Sequence, residues 1–108
     1  MKFKAFGTGR LGQDAEVKEL TNGKSVIEFS VASNSFYRNK EGEKVESTDW
    51  HNIKSFVKEV NPDFMAKLTK GTQVTVDGRV SYDEYEDKNK SPQKRMFLDA
   101  RISDIVIH

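Results

Sequence analysis

Along much of the chain the hydrophobic and polar positions alternate. The N-terminal "KFKAFGT" sets Lys2 and Lys4 against Phe3 and Ala5 before Gly7 and Gly9. A period of two marks a strand whose faces meet different surroundings. "TNG" at 21–23 is a tight-turn signal. After it, "KSVIEFSVAS" places Ile27, Phe29 and Val31 on one face, with Glu28 and Ser30 opposite. Residues 35–46, "SFYRNKEGEKVE", are polar around a glycine and read as a long hairpin loop carrying two aromatics. "STDWHNIKSF" at 47–56 is the third strand. One face carries Thr48, Trp50, Asn52, Lys54 and Phe56; the other carries Asp49, His51, Ile53 and Ser55, with Val57 next.

The period then changes. Asn61 and Pro62 form an N-cap and first-turn pair. Phe64, Met65 and Leu68 fall at helical spacing, and Gly71 follows Lys67 and Lys70 as a stop. "QVTVDGRVSY" returns to alternation, with Val74, Val76, Gly78, Val80 and Tyr82 facing one way. "DEYEDKNKSPQKR" at 83–95 reads as a charged hairpin loop. In "MFLDARISDIVIH", Leu98, Ala100 and Ile102 share a face, and the shift of parity to Ile105 and Ile107 predicts a bulge near Ser103 and Asp104. Three strands, a short helix and two strands, with Gly78 permitting a sharp bend, predict an all-β protein. The expected architecture is an OB-fold: a five-stranded Greek-key barrel with one short helix between strands three and four. An SH3-like barrel or a small sandwich is the alternative.

Composition narrows this picture. A chain of 108 residues suits one domain spanning 1–108. At 35% hydrophobic residues and a mean hydropathy of -0.73, the core is thin, which favours a small barrel. Eighteen Lys and Arg against 17 Asp and Glu neither require nor exclude a polyanionic partner; what matters is whether the cations are sorted onto one face. The absence of cysteine rules out disulfides and thiolate metal sites and agrees with a reducing, cytoplasmic setting. No apolar run approaches the roughly 18 residues of a membrane span, and none has signal-peptide length.

The aromatic residues raise a chemical question, because Trp50 and Phe56 lie on the more polar face of their strand. An unpaired nucleic-acid strand exposes phosphates and flat bases, and a sequence-tolerant binder meets these with cations and exposed rings. Trp50, Phe56 and Lys54 supply both on one strand. Tyr37 with Arg38 and Lys40 repeats the combination in the first long loop. Tyr85 with Lys88, Lys90, Lys94 and Arg95 repeats it in the last hairpin. Arg79 points outward from the fourth strand. Each signal alone is weak, since a strand tryptophan usually belongs to a core and loop lysines are usually only solvated.

No catalytic constellation is expected. Asp83, Glu84, Glu86 and Asp87 lie in one loop without spacing that would converge them on a metal. "GTGRLG" lacks the strand-to-helix context of a phosphate loop. His51 has no partner ligands at useful spacing and reads as structural or interfacial. No cofactor is expected. A protein-interaction OB subunit of a replication-restart or mobile-element assembly, with its rings serving as hot spots, is the rival to nucleic-acid binding.

Over nearly its whole length the chain resembles the bacterial single-stranded DNA-binding protein family. "GRLGQDAEVKELTNGKSVIEFSVAS" is similar to the family's glycine-leucine-glycine-x-aspartate opening, its asparagine-glycine turn and a strand ending in alanine-serine. "STDWHNIKSF" resembles its threonine-x-tryptophan-histidine segment, with a phenylalanine six residues past the tryptophan. "LTKGTQVTVDGRV" resembles its lysine-glycine-x-x-valine-x-valine-x-glycine strand.

The resemblance implies an OB barrel that binds single-stranded DNA in replication, recombination or repair and assembles as a homotetramer or dimer. It implies stacking on Tyr37, Trp50, Phe56 and Tyr85, the third-loop tyrosine standing where the family often has tryptophan. Phosphates would then lie along Arg38, Lys40, Lys54 and Arg79, with further contacts from Lys88, Lys90 and Arg95. His51 corresponds to a histidine near the family's subunit interface. The family's Gly/Pro/Gln-rich linker and acidic tip have no counterpart before the chain ends at His108, so the chain reads as a short member without tail-mediated partners.

Overall fold

The computed structural model describes residues 2–108. Among them run β1 (Lys4–Leu11), β2 (Glu16–Glu19), β3 (Ser25–Arg38), β4 (Lys44–Val57), α1 (Pro62–Lys67), β5 (Gln73–Glu86), β6 (Pro92–Asp99) and β7 (Ile105–Ile107). The pairings pass from β1 through β3, β4, β6 and β5 and return from β5 to β1. The sheet therefore closes on itself, which removes the exposed edges of an open sheet. All contacts in this ring are antiparallel except β4 with β6, where Ile53 faces Leu98. The five ring strands are the five expected. In addition β2 folds back onto β3, and β7 adds to β5. The result is the all-β OB-fold arrangement.

The inward positions of the alternating runs fill the ring. Ile27, Ile53 and Val74 are almost wholly buried, with Leu11, Phe29, Val31, Val76 and Leu98 around them. Asn61 caps α1, its Oδ1 accepting from the N–H groups of Asp63 (2.9 Å) and Phe64 (3.3 Å), while Pro62 occupies the first turn without losing a needed donor. The helix stops at Lys67, earlier than its spacing predicts. Leu68 leaves helical geometry to enter the core at 1% exposure, and Gly71 takes its positive φ of 88° in the following turn. Gly78 sits where a Cβ would lie 3.0 Å from Leu98 Cβ, so its small size lets β5 and β6 approach at the bend.

Three expectations change. The segments 35–46 and 83–95, read as loops, are mostly ladder. Pairing of β3 with β4 continues from Ser25–Val57 out to Arg38–Lys44, and that of β5 with β6 from Arg79–Asp99 out to Glu86–Pro92. These arms project beyond the barrel, so neither face meets a core and the apolar half of the alternation disappears. The backbone still prefers cross-strand bonding. The turns at their tips are short. Asn39 Oδ1 accepts from Glu41 (3.0 Å) and Glu43 (2.9 Å), with Gly42 at φ 77°. Asp87 Oδ1 accepts from Asn89 and Ser91, both at 2.9 Å, with Lys90 at φ 60°.

Tyr82 shares parity with the core positions but stands exposed, because β5 has already left the barrel there. The expected bulge is a single 3₁₀ turn at Ile102–Asp104. It resets the parity and lets Ile105 return to the core.

Candidate nucleic-acid interface

The outward face of β4 forms the floor of a groove of about 550 Å³ that reaches from Gly12 and Trp50 across Lys54 to Asp83, Arg95 and Phe97. Trp50 is 60% exposed and Phe56 48%, which excludes a core role for either ring. Trp50 rests on Gly12. A Cβ on Gly12 would overlap the six-membered ring, lying 2.7 Å from Cη2. Gly12 is itself fixed by its N–H donating to the Ser30 carbonyl at 3.1 Å. The chain thus presents a flat backbone seat for the indole, leaving its other side open.

Phe56 meets Phe97 edge to face, with centroids 6.4 Å apart and planes at 62°. Phe97 is buried although it points to the outer side of β6, and it braces Phe56 from beneath. Arg95 lies 4.7 Å over the Tyr85 ring, so the two form one cationic, flat surface at the far wall. Tyr85 is itself 42% exposed. Between the walls lie Ser30 and Asn52, joined at 3.3 Å, and then Lys54.

Lys54 is not a free cation. Its ammonium donates to Asp83 and lies 3.4 Å from Glu28, and it sits 4.8 Å over the Phe97 ring. Glu28 also holds Lys18 at 3.0 Å. Partial desolvation pulls the Lys54 ammonium down, but the hydrogen bond and charge of Asp83, helped by Glu28, outweigh it and hold the group above its ordinary value.

The structure brings Trp50, Lys54, Phe56, Tyr85 and Arg95 to this one face. Other sequence-predicted residues lie elsewhere. Arg79 pairs with Asp99 at 3.2 Å and lines a separate hollow of about 230 Å³ with Lys4 and Arg101. Lys88 and Lys90 stand exposed at the tip of the β5–β6 arm. Lys40 is exposed in the turn of the β3–β4 arm, and Arg38 Nη1 donates to the Gly42 carbonyl there at 2.8 Å. Tyr37 is exposed, but its register opposite Val45 sets it on the strand face opposite Trp50. His51 is half-buried on the inner side of β4, its Nε2 2.9 Å from Ser33 Oγ.

Sequence reasoning passed over Phe36. In the β3–β4 ladder, residues 32, 34 and 36 face 50, 48 and 46, so Phe36 shares the face of Trp50. Lys44 Nζ lies 3.9 Å from the Phe36 ring centroid. Parity counted back from Trp50 would have found it, had the segment been read as ladder. Gly12, Glu28, Asp83 and Phe97 were also missed, since each acts through a neighbour remote in sequence. Among the described residues no group of three or more His, Cys, Asp or Glu is placed to hold a metal ion, and no helix is long and apolar enough to cross a membrane.

A closed OB barrel with exposed rings and paired charges along one outer face defines the class: an OB-fold protein with a groove suited to an extended, flat-ringed polymer. Residues 3–106 match the single-strand binding protein family, and the chain belongs to that family. It is 39% identical over 83 residues to the single-stranded DNA-binding protein of Neisseria meningitidis serogroup A, covering 75% of this chain and 46% of that protein. With the protein of the same description from Aquifex aeolicus it shares 34% over 94 residues, covering 87% and 63%. The chain therefore spans about half to just under two-thirds of the length of these curated relatives.

Among solved structures, a Plasmodium falciparum SSB in complex with ssDNA superposes with a TM-score of 0.81 at 27% identity, over 100% of this chain and 95% of that one. A deletion mutant of the single-stranded DNA binding protein from Thermus aquaticus gives 0.77 at 17% identity, over 97% and 49%, and speaks to the fold alone.

Proposed function

We propose that the protein binds single-stranded DNA without sequence readout, in the service of replication, recombination or repair, and that it acts in the cytoplasm without catalysis. The observation that carries this reading is the Trp50 indole, seated on Gly12 and open to solvent in a groove that also holds Phe56, Tyr85 and Arg95. Bases stack on these rings, each stack contributing about 1–3 kcal/mol. Duplex is discriminated against because paired, stacked bases offer no free faces. The relatives named as single-stranded DNA-binding proteins and the ssDNA complex of the Plasmodium protein support the reading. Along the arms, Arg38, Lys40, Lys88 and Lys90 would meet phosphates, and Phe36 joins Tyr37 as a stacking candidate.

We also propose self-association, as a tetramer or dimer. Among the described residues, Lys4–Gly9 of β1 pair only with β5, which leaves their other edge open to a second copy. Phe6 is 75% exposed beside that edge, and His51 is the histidine assigned to the interface.

Trp50 is the single tryptophan, so its emission reports on the groove without mixing. Addition of an oligo-dT strand at low salt is expected to quench it. Unchanged emission together with no gel shift would overturn the reading and favour a protein-interaction role.

A further inference from the structure

The groove contains a charge arrangement that opposes the function it serves. A floor built only to hold phosphates would leave its lysine free. Here Lys54, the cation nearest the centre, is clamped between Glu28 on β3 and Asp83 on β5. Two carboxylates thus stand on the path between the Trp50 and Tyr85 walls, at side-chain exposures of 23% and 42%. Glu28 lies directly opposite Lys54 in the β3–β4 register. Asp83 reaches across β6, where Phe97 fills the space under the ammonium. The clamp is therefore set by the barrel wall and not by flexible side chains meeting at a surface.

Resting on the reading of the groove as a single-strand site, we propose that Glu28 and Asp83 attenuate DNA binding by withholding Lys54 from the phosphate chain. A phosphate approaching Lys54 meets a cation already neutralised, with a carboxylate on either side of it. It gains no counterion release there and faces like-charge repulsion. The strand is thereby steered base-first onto the rings, with its phosphates kept to the groove edges. Affinity is held below what the rings and cations would otherwise give, and its salt dependence is shallower than the count of basic residues suggests.

The test measures the affinity of an oligo-dT strand across a salt series for the parent protein, Glu28→Gln/Asp83→Asn, Lys54→Gln, and the triple variant. Each phosphate contact on single strands contributes about 0.7 to the slope of log K against log salt. Freeing Lys54 is expected to steepen the slope by about 0.7 and to raise affinity about fivefold at 0.1 M salt. Lys54→Gln alone is expected to leave the slope unchanged, and adding it to the double variant should abolish the gain. That last arm separates release of Lys54 from a general loss of negative charge.

A double variant with the parent slope, a gain that survives loss of Lys54, or a slope lowered by Lys54→Gln alone would each overturn the attenuator while leaving single-strand binding intact. Failure of the parent to bind at any salt would overturn both.

Discussion

Replacing Gly12 by alanine moves the Trp50 ring without altering its chemistry. A Cβ at position 12 would lie 2.7 Å from Trp50 Cη2, whereas ordinary carbon contacts are about 3.5–4.0 Å. The ring must therefore retreat by about 1 Å. It can do so, because its other side faces solvent and Gly12 has no positive φ that would strain an alanine. Stability should accordingly change by less than about 1 kcal/mol, with the smaller unfolded-state entropy of alanine partly offsetting the contact.

Binding should suffer more. A gap of 0.5–1 Å forfeits about a quarter to a half of a dispersion contact. Applied to a stack of about 1–3 kcal/mol, the loss is about 0.3–1.5 kcal/mol, or about twofold to tenfold in Kd. The assay is quenching of Trp50 emission by oligo-dT for Gly12→Ala, read by anisotropy of a labelled strand where Trp50 is removed. A cycle with Trp50→Ala isolates the route. If Gly12 acts only through the indole, the double variant binds as Trp50→Ala does. Full additivity of the two losses, or a Gly12→Ala protein with parental affinity and emission, would refute the seat.

The other expectations are shorter. Trp50→Ala should cost about 1–3 kcal/mol in binding per engaged subunit, with urea midpoints little moved; a null effect removes Trp50 from the site. Ile53→Ala, at the buried β4–β6 junction, should lower unfolding free energy by about 2–5 kcal/mol in urea titration, and a loss well under that would mean the junction is not core. Ser55 is fully buried with its hydroxyl lacking a protein partner, so Ser55→Ala should leave stability unchanged or raise it by about 1 kcal/mol; a marked loss would reveal a hydrogen bond. The Asp87 carboxyl is held below its ordinary value, chiefly by the Ser91 N–H and also by Asn89 and Gln93. Its contribution is therefore complete above the ordinary carboxylate value and fades as pH falls through the depressed one. Amide exchange at Asn89 and Ser91 should accelerate on that descent, relative to the intrinsic rate, and Asp87→Asn should flatten the dependence.

The sequence by itself determined the elements whose two faces meet different media. Alternation in 25–31 and 47–57 separated Ile27, Phe29 and Ile53 from Glu28, Trp50 and Lys54, because burial on one side forces that pattern. Asn61 and Pro62 located the helix start, since capping is a local requirement. The family motifs added the aromatic positions. Tertiary structure decided what depends on partners remote in the chain. The arms could not be read as ladder while both their faces were polar, and with them Phe36 was lost to Tyr37. Lys54 read as a phosphate contact until closure of the barrel carried Asp83 from β5 over Phe97 to meet it. Gly12 read as one glycine of a motif until the fold laid Trp50 upon it. Periodicity records the side of a strand on which a residue lies; only the closed barrel fixes what stands across from it.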